Sequence, residues 1–339
     1  MAVKPRVFVT RQIPEPGLER IREYYDVDVW PEYTAPPYEV LVEKAREYDA
    51  LVTLLTDKVD CNLIKAGQPK LRIIAQYAVG YDNIDLDCAT KYGVYVTNTP
   101  GVLTEAVADF TWGLILAVTR RMVEADQFVR SGEWYKTGTG WHPLMMLGFE
   151  INGKTLGIVG MGRIGRAVAE RAKGFKMRIL YYDKRPLPPE EEERLNAKHV
   201  SLEELLRESD IVSLHVPLTK DTYHLIGEKE LRLMKKSAYL VNTARGKVVD
   251  TDALVKALQE GWIAGAALDV FEQEPLPPDH PLTKMKNVVL APHAASATVE
   301  TRTKMAMLVA DNLIAFYKGE VPPTLVNKEV VSVRKPGFG

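Results

Sequence analysis

The chain has 339 residues, and its 44 Lys and Arg against 45 Asp and Glu leave a formal net charge of −1. That length has room for two domains with cores of their own, and a balanced charge without a basic run argues against a nucleic-acid partner. The longest mainly apolar run, Phe110 to Val118, is far short of the ~20 residues that span a bilayer, and the start, MAVKPRVFV, lacks the apolar segment of a signal peptide. A cytoplasmic protein with no membrane partner is expected. Cys61 and Cys88 are far apart and show no ligand spacing, so they read as two packed thiols, with no metal site.

In chain order, Arg6 to Thr10, Val27 to Trp30, Ala50 to Leu55 and Leu71 to Ala78 are short β-rich runs, with helical patterns at Gly17 to Tyr25 and Tyr38 to Tyr48. Strand alternating with helix predicts a parallel sheet, so this first segment is a small α/β unit. Ala78-Val79-Gly80-Tyr81-Asp82 directly follows a strand, and such a stretch is either a simple glycine turn or an anion-binding nest of backbone N–H groups. After it, Leu103 to Gly132 carries one long helical periodicity, with Pro100 and Gly101 before it as a hinge. Glu133 to Phe149 has no period and is rich in Trp, Tyr, Gly and Met. It is either a subunit interface or a loop folded on its own domain.

The stretch Thr155 to Asp183, TLGIVGMGRIGRAVAERAKGFKMRILYYD, is the one around which the rest of the chain is organised. A short apolar run predicts a buried strand, Gly160, Gly162 and Gly165 fall at G-x-G-x-x-G spacing, and Ala167, Val168, Ala169, Ala172 and Phe175 recur at helical spacing. A second strand then ends on Asp183. This is a βαβ unit for a dinucleotide: glycines for the turn, for the approach of a pyrophosphate and for helix packing, a helix N-terminus facing the phosphates, and an acid about 20 residues on for the adenosine ribose. The run Lys184 to Asn196 reads as a solvated loop and helix start. Strand and helix then alternate through Val288 to His293, predicting a doubly wound sheet. A last helix, Thr298 to Lys318, precedes a tail whose apolar residues need a partner surface.

Ligands of such sheets lie beyond the carboxyl ends of the strands. There the sequence places Arg245, Asp269 with Glu274 soon after, and His293. A histidine beside a carboxylate can serve as proton donor or base near neutrality, and an arginine offers a planar fork for a carboxylate. Reduction of a 2-oxo acid by a nicotinamide needs both. His215 also ends a strand, but Val216-Pro217 after it suits a wall beside a nicotinamide ring better than a proton relay.

The segments Gly160 to Gly165, Asn242 to Gly246, Leu268 to Pro275 and Pro292 to Thr298 resemble the signatures of the D-isomer-specific 2-hydroxyacid dehydrogenase family, and Ala75 to Asn83 with Gly140 to Leu144 resemble its glyoxylate/hydroxypyruvate reductases. The likeness covers nearly the whole chain. It implies two doubly wound parallel-sheet α/β domains, a Rossmann dinucleotide-binding domain (103–290) inserted in a smaller flavodoxin-like substrate-binding domain (1–102 and 291–339). By the resemblance Arg245, Glu274 and His293 are catalytic. His293 donates a proton to the substrate oxygen, Glu274 keeps His293 protonated, and Arg245 binds the substrate carboxylate. Leu54, Val79, Gly80, Ser296 and Trp141 join the substrate site, Trp141 from a neighbouring subunit of a homodimer. Thr104, Gly160, Gly162, Arg163, Ile164, Gly165, Asp183, Val216, Pro217, Thr222, Thr243, Ala244, Asp269, His293 and Ala295 surround the cofactor, with Asp269 meeting the nicotinamide carboxamide. The family's histidine loop usually reads P-H-I-G-S, where this chain has Ala294-Ala295. Asp183 favours NAD(H), while Lys184 and Arg185 leave NADP(H) possible. The expected reaction is reduction of glyoxylate, and of hydroxypyruvate, to the 2-hydroxy acid. Phosphite dehydrogenase, another D-2-hydroxyacid dehydrogenase and an NAD(H)-sensing corepressor are the alternatives. Val79 stands where the phosphite enzyme has a lysine.

Overall fold

The computed structural model describes residues 4–339, which divide into two compact units: 4–103 with Ala297–Gly339, and Thr104–Ser296. The first carries strands β1 (Arg6–Val9), β2 (Asp26–Val29), β3 (Ala50–Thr53), β4 (Ile73–Gln76) and β5 (Tyr95–Thr97), all parallel, in the order β2-β1-β3-β4-β5. This is the flavodoxin-like order. The last long helix, Val299–Tyr317, belongs to this unit and lies on the helix Glu15–Arg22, where Gly17 allows close approach to Ala306. The tail finds its partner surface on the same sheet. Val326 N–H donates to Val96 O (2.8 Å), and Asn327 Oδ1 accepts from Val96 N–H (2.9 Å) while its amide donates to Val94 O (2.9 Å).

The second unit carries β6 (Thr155–Val159), β7 (Arg178–Tyr182), β8 (Ala197–His199), β9 (Ile211–Leu214), β10 (Tyr239–Asn242), β11 (Gly265–Leu268) and β12 (Val288–Leu290), ordered β12-β11-β10-β9-β6-β7-β8. Every pairing is parallel. Counted within the unit, this is the Rossmann order with one added strand, and its direction of winding switches between β6 and β9. β8, which the sequence pattern does not announce, is a short edge strand without a β-branched residue.

Two expectations are corrected. The single helix from Leu103 to Gly132 is two, Thr104–Thr119 and Met122–Arg130. Phe149 N–H takes the Thr119 carbonyl (2.7 Å), and Arg121 adopts a left-handed conformation (φ 53°) while its guanidinium holds Glu124 and Leu147 O. The returning arm, not a Gly or Pro in the helix, makes the break. The two cysteines are not free thiols: Cys61, which opens the helix Cys61–Ala66, is disulfide-bonded to Cys88 in the helix Leu86–Lys91, with Cα atoms 5.4 Å apart. Helix contacts brought the pair together, which spacing along the chain does not reveal. Among the described residues, no helix is long and apolar enough to cross a membrane.

Candidate active site

The glycine turn sits at the winding switch of the second sheet. Gly160 has φ 96°, and a Cβ there would lie 2.7 Å from the His215 carbonyl carbon across the switch, so no other residue fits. A Cβ on Gly165 would lie 2.2 Å from Gly160 O, so this glycine brings the helix Arg163–Ala172 onto the strand. Nothing lies within 4 Å of a Cβ built on Gly162. Space is kept open at the one glycine of the three expected to face a pyrophosphate, and the helix that begins there has no side-chain N-cap, so its first N–H groups, with Arg163 and Ile164 in the first turn, face outward for an anion. At the end of β7, Asp183 Oδ2 accepts from the Met161 N–H (2.7 Å), which fixes the carboxylate beside the turn and leaves Oδ1 for a ribose hydroxyl. These residues fit a dinucleotide.

The far wall of the same crevice is the stretch after β9. Val216 and Pro217 lead into a turn closed by Thr222, which is buried, donates to Pro217 O (2.6 Å) and accepts from Thr219 N–H (2.8 Å). His215 shares a hydrogen bond with Ser213 (2.8 Å), and burial pushes its pKa down to about 3. It is neutral throughout the working range, which removes it as a rival proton donor. Thr243 Oγ1 lies 3.0 Å from Thr111 Oγ1, about two turns into the helix that starts at Thr104.

Beyond β10, β11 and β12 three loops converge. Asn242 accepts from Ala244 N–H (3.0 Å) and donates to Arg245 O (2.9 Å), bending the chain so that Arg245 leaves the sheet extended. Its neighbour Gly246 packs so closely that a Cβ would lie 1.9 Å from the Phe271 carbonyl carbon. That contact locks the Arg245 loop to the Phe271–Glu274 loop. Glu274 Oε1 accepts from Phe271 N–H (3.0 Å), and Oε2 pairs with His293 Nδ1 (2.8 Å). Burial alone would raise the Glu274 pKa, but the His293 hydrogen bond and charge, the Phe271 amide and Arg245 together hold it below the usual carboxylate range. It is therefore ionised at neutral pH. With Nδ1 engaged, Nε2 is the nitrogen of His293 that Glu274 leaves open.

Asp269 has a role that its strand-end position does not suggest. Fully buried, it accepts from Ala294 N–H (2.7 Å) and Ala295 N–H (2.9 Å), and its backbone carbonyl accepts from His293 N–H (2.8 Å). Burial raises its pKa against the lowering effect of those amides. Both oxygens thus brace the histidine loop, where His293 itself has φ 55°, and the Ala294-Ala295 pair supplies the two amides that do it. A second brace was also missed: His224 Nε2 meets Glu272 Oε2 (3.1 Å), the His224 backbone N–H donates to Lys247 O (2.8 Å), and Glu272 accepts from Thr251 N–H (2.8 Å). An acid two residues before Glu274 was the available signal.

In the first unit, the loop after β4 has its carbonyls turned inward. Thr99 N–H takes Ala78 O (2.9 Å), Asn98 takes Val79 O (2.8 Å) and Gln76 takes Gly80 O (3.2 Å). The N–H groups of Val79 and Gly80 donate to no described residue, the arrangement of an anion nest. Gln76 also holds Asn83 (2.8 Å), whose amide takes Leu54 O (3.1 Å), so Leu54 belongs to the same network. Ser296 follows the histidine loop and is partly buried, and Trp141 is 75% exposed.

A crevice for a dinucleotide at a parallel-sheet switch, with a histidine–carboxylate pair and an arginine on the neighbouring strand ends, defines a nicotinamide-dependent oxidoreductase. Residues 112–295 match the family model described as "D-isomer specific 2-hydroxyacid dehydrogenase, NAD binding domain", and the chain belongs to that family. It is 67% identical over 335 residues to a glyoxylate reductase of Aeropyrum pernix, covering 99% of both chains, and 64% identical over 336 residues to one of Korarchaeum cryptofilum, covering 99% of this chain and 100% of the relative. It also resembles the crystal structure of an NADPH-dependent glyoxylate/hydroxypyruvate reductase from Sinorhizobium meliloti in complex with NADP and malonate, with a TM-score of 0.84, 36% identity, and coverage of 96% of this chain and 98% of that one.

Replacing Asp183 tests the ribose end of the crevice. Asp183→Ser removes the carboxylate that would repel a 2′-phosphate, so the wild-type preference for NADH, expected at about 1–3 kcal/mol in kcat/KM, should relax or reverse. A better use of NADPH than NADH by the wild type would show that Asp183 does not face the ribose.

Proposed function

We propose that the protein reduces glyoxylate, and hydroxypyruvate as a second substrate, to the 2-hydroxy acid, with NADH preferred and NADPH usable. The observation that carries this reading is the Glu274–His293 pair held at 2.8 Å on a loop locked to that of Arg245. The similar glyoxylate reductases suggest the substrate. Bound NADH supplies the hydride that reaches the carbonyl carbon. Arg245 binds the substrate carboxylate by its planar fork and polarises the carbonyl, with the free N–H groups of Val79 and Gly80, together with Leu54 and Ser296, as further substrate contacts. His293 Nε2 gives its proton to the carbonyl oxygen, and ionised Glu274, bonded to Nδ1, holds the ring in place to do so. Thr104, Val216, Pro217, Thr222, Thr243, Ala244, Ala295 and Asp269 line the cofactor crevice, and the protein works in the cytoplasm.

Mixing protein, NADH and glyoxylate should give a fall in absorbance at 340 nm that depends on both reactants. Saturable NADH binding without turnover would instead favour the corepressor-like alternative. No observation favours phosphite oxidation.

The same reading includes a homodimer. The helix Met122–Arg130 has no buried residue, and Met122, Val129, Tyr135, Trp141, Leu144 and Leu147 are all exposed. So much apolar surface on one helix and its adjoining arm is expected of a subunit contact. The preceding helix, Thr104–Thr119, is largely buried within its own unit, so the interface lies on the second helix and the arm. Sedimentation should report a dimer at micromolar concentration, and a fully active monomer would refute the arrangement.

A further inference from the structure

The Lys184–Asp221 ion pair has no part in the chemistry of reduction. Lys184 directly follows the ribose-facing Asp183 at the end of β7, and Asp221 lies in the turn after β9. In the sheet, β6 lies between these two strands. The contact from Lys184 Nζ to Asp221 Oδ2, 2.5 Å long, therefore joins the segments that follow the two strands on either side of β6, the strand that runs into the glycine turn. The two partners are unequal. Both side chains are exposed, but the backbone of Asp221 sits in a turn fixed by the Thr222 hydrogen bonds and by Tyr223 N–H to Thr219 O (3.0 Å) and its stem is short, whereas the Lys184 ammonium stands on a long one. The rigid partner decides where the ammonium rests.

We propose that Asp221 is a positioning residue for cofactor choice, which holds the Lys184 ammonium on the far side of the crevice and so withholds it from the 2′-phosphate of NADPH. This rests on the dinucleotide reading of the crevice. NADH has no charge at the 2′ position and gains nothing from Lys184. NADPH must either break the pair or meet two carboxylates, Asp183 and Asp221, with the nearest lysine already neutralised. An exposed pair adds little to stability, but discrimination needs only a difference between two ligands, and an electrostatic obstacle to the wrong one supplies it.

The test is equilibrium binding of NADPH and of NADH, followed by the fluorescence of the reduced nicotinamide without substrate, for wild type, Asp221→Asn, Lys184→Ala and the double variant. Asp221→Asn should tighten NADPH by about three- to tenfold and leave NADH within about twofold, with the gain shrinking in high salt. In the Lys184→Ala background the same substitution should lose most of its effect on NADPH, since no ammonium remains to be released. Equal changes for both cofactors, or an undiminished NADPH gain without Lys184, would overturn the proposal. Because no substrate is present, a failure here is distinct from failure of the glyoxylate reading, which would appear as tight NADH binding without turnover.

Discussion

His293→Ala is expected to lower the turnover number by about 10²–10⁴-fold while leaving the apparent Michaelis constant for glyoxylate nearly unchanged, because it deletes the proposed proton donor and spares the proposed carboxylate clamp. Arg245→Ala should fail differently. It removes the carboxylate fork, so the Michaelis constant rises as turnover falls. Initial rates across a range of glyoxylate concentrations separate the two, and matching kinetic signatures would mean that the roles are misassigned. Glu274→Gln completes the set through pH. The Glu274 pKa lies below the usual carboxylate range, so in the wild type its charge is present at neutral pH and lost only under more acid conditions than for an ordinary glutamate. In the variant the charge beside Nδ1 is missing at every pH, and the pH profile of reduction should change. A profile that stays in place would remove Glu274 from the mechanism.

Gly246→Ala is expected to be nearly as damaging although Gly246 has no side chain to offer a reactant. The added methyl would start 1.9 Å from the Phe271 carbonyl carbon and 2.4 Å from the Glu272 nitrogen, all of it backbone that cannot rotate away. The loop bearing Arg245 and the loop bearing Glu274 must then part. A displacement near 1 Å at such groups costs on the order of 10²-fold in rate, and forcing a methyl into a packed contact costs about 1–3 kcal/mol of stability. Steady-state kinetics and a thermal melt measure the two effects. Activity within threefold of wild type at an unchanged melting temperature would show that the loops are not locked together here.

The alternation of strands and helices, both sheets and the glycine turn were legible because local patterns determine them: apolar runs, helical spacing and glycines whose reasons lie within a few residues. The histidine, glutamate and arginine were legible as strand-end residues, although their grouping came from family resemblance. What could not be read was set by distant parts of the chain. Nothing at Arg120-Arg121 announces a helix break, since Phe149 imposes it from outside. The Cys61–Cys88 bond needs two helices already side by side. Asp269 is readable as a strand-end acid, but that its oxygens accept from the Ala294 and Ala295 amides, a bond across two loops, only the fold reveals.

The divided first unit has a consequence for how the protein is made. Its sheet is complete within the first hundred or so residues, but Tyr25 hydroxyl donates to Leu313 O (2.6 Å), Gly17 is pressed against Ala306, and β5 pairs with Val326. During synthesis the N-terminal strands leave the ribosome long before these partners, and the contiguous unit Thr104–Ser296 can finish folding in the interval. For that time the apolar face of the helix Glu15–Arg22, with Leu18 and Ile21 at its centre, stays uncovered. The early segment is therefore the part of the nascent chain most in need of a chaperone, and a chain ended after Ser296 and released should leave it open to protease while the later unit resists.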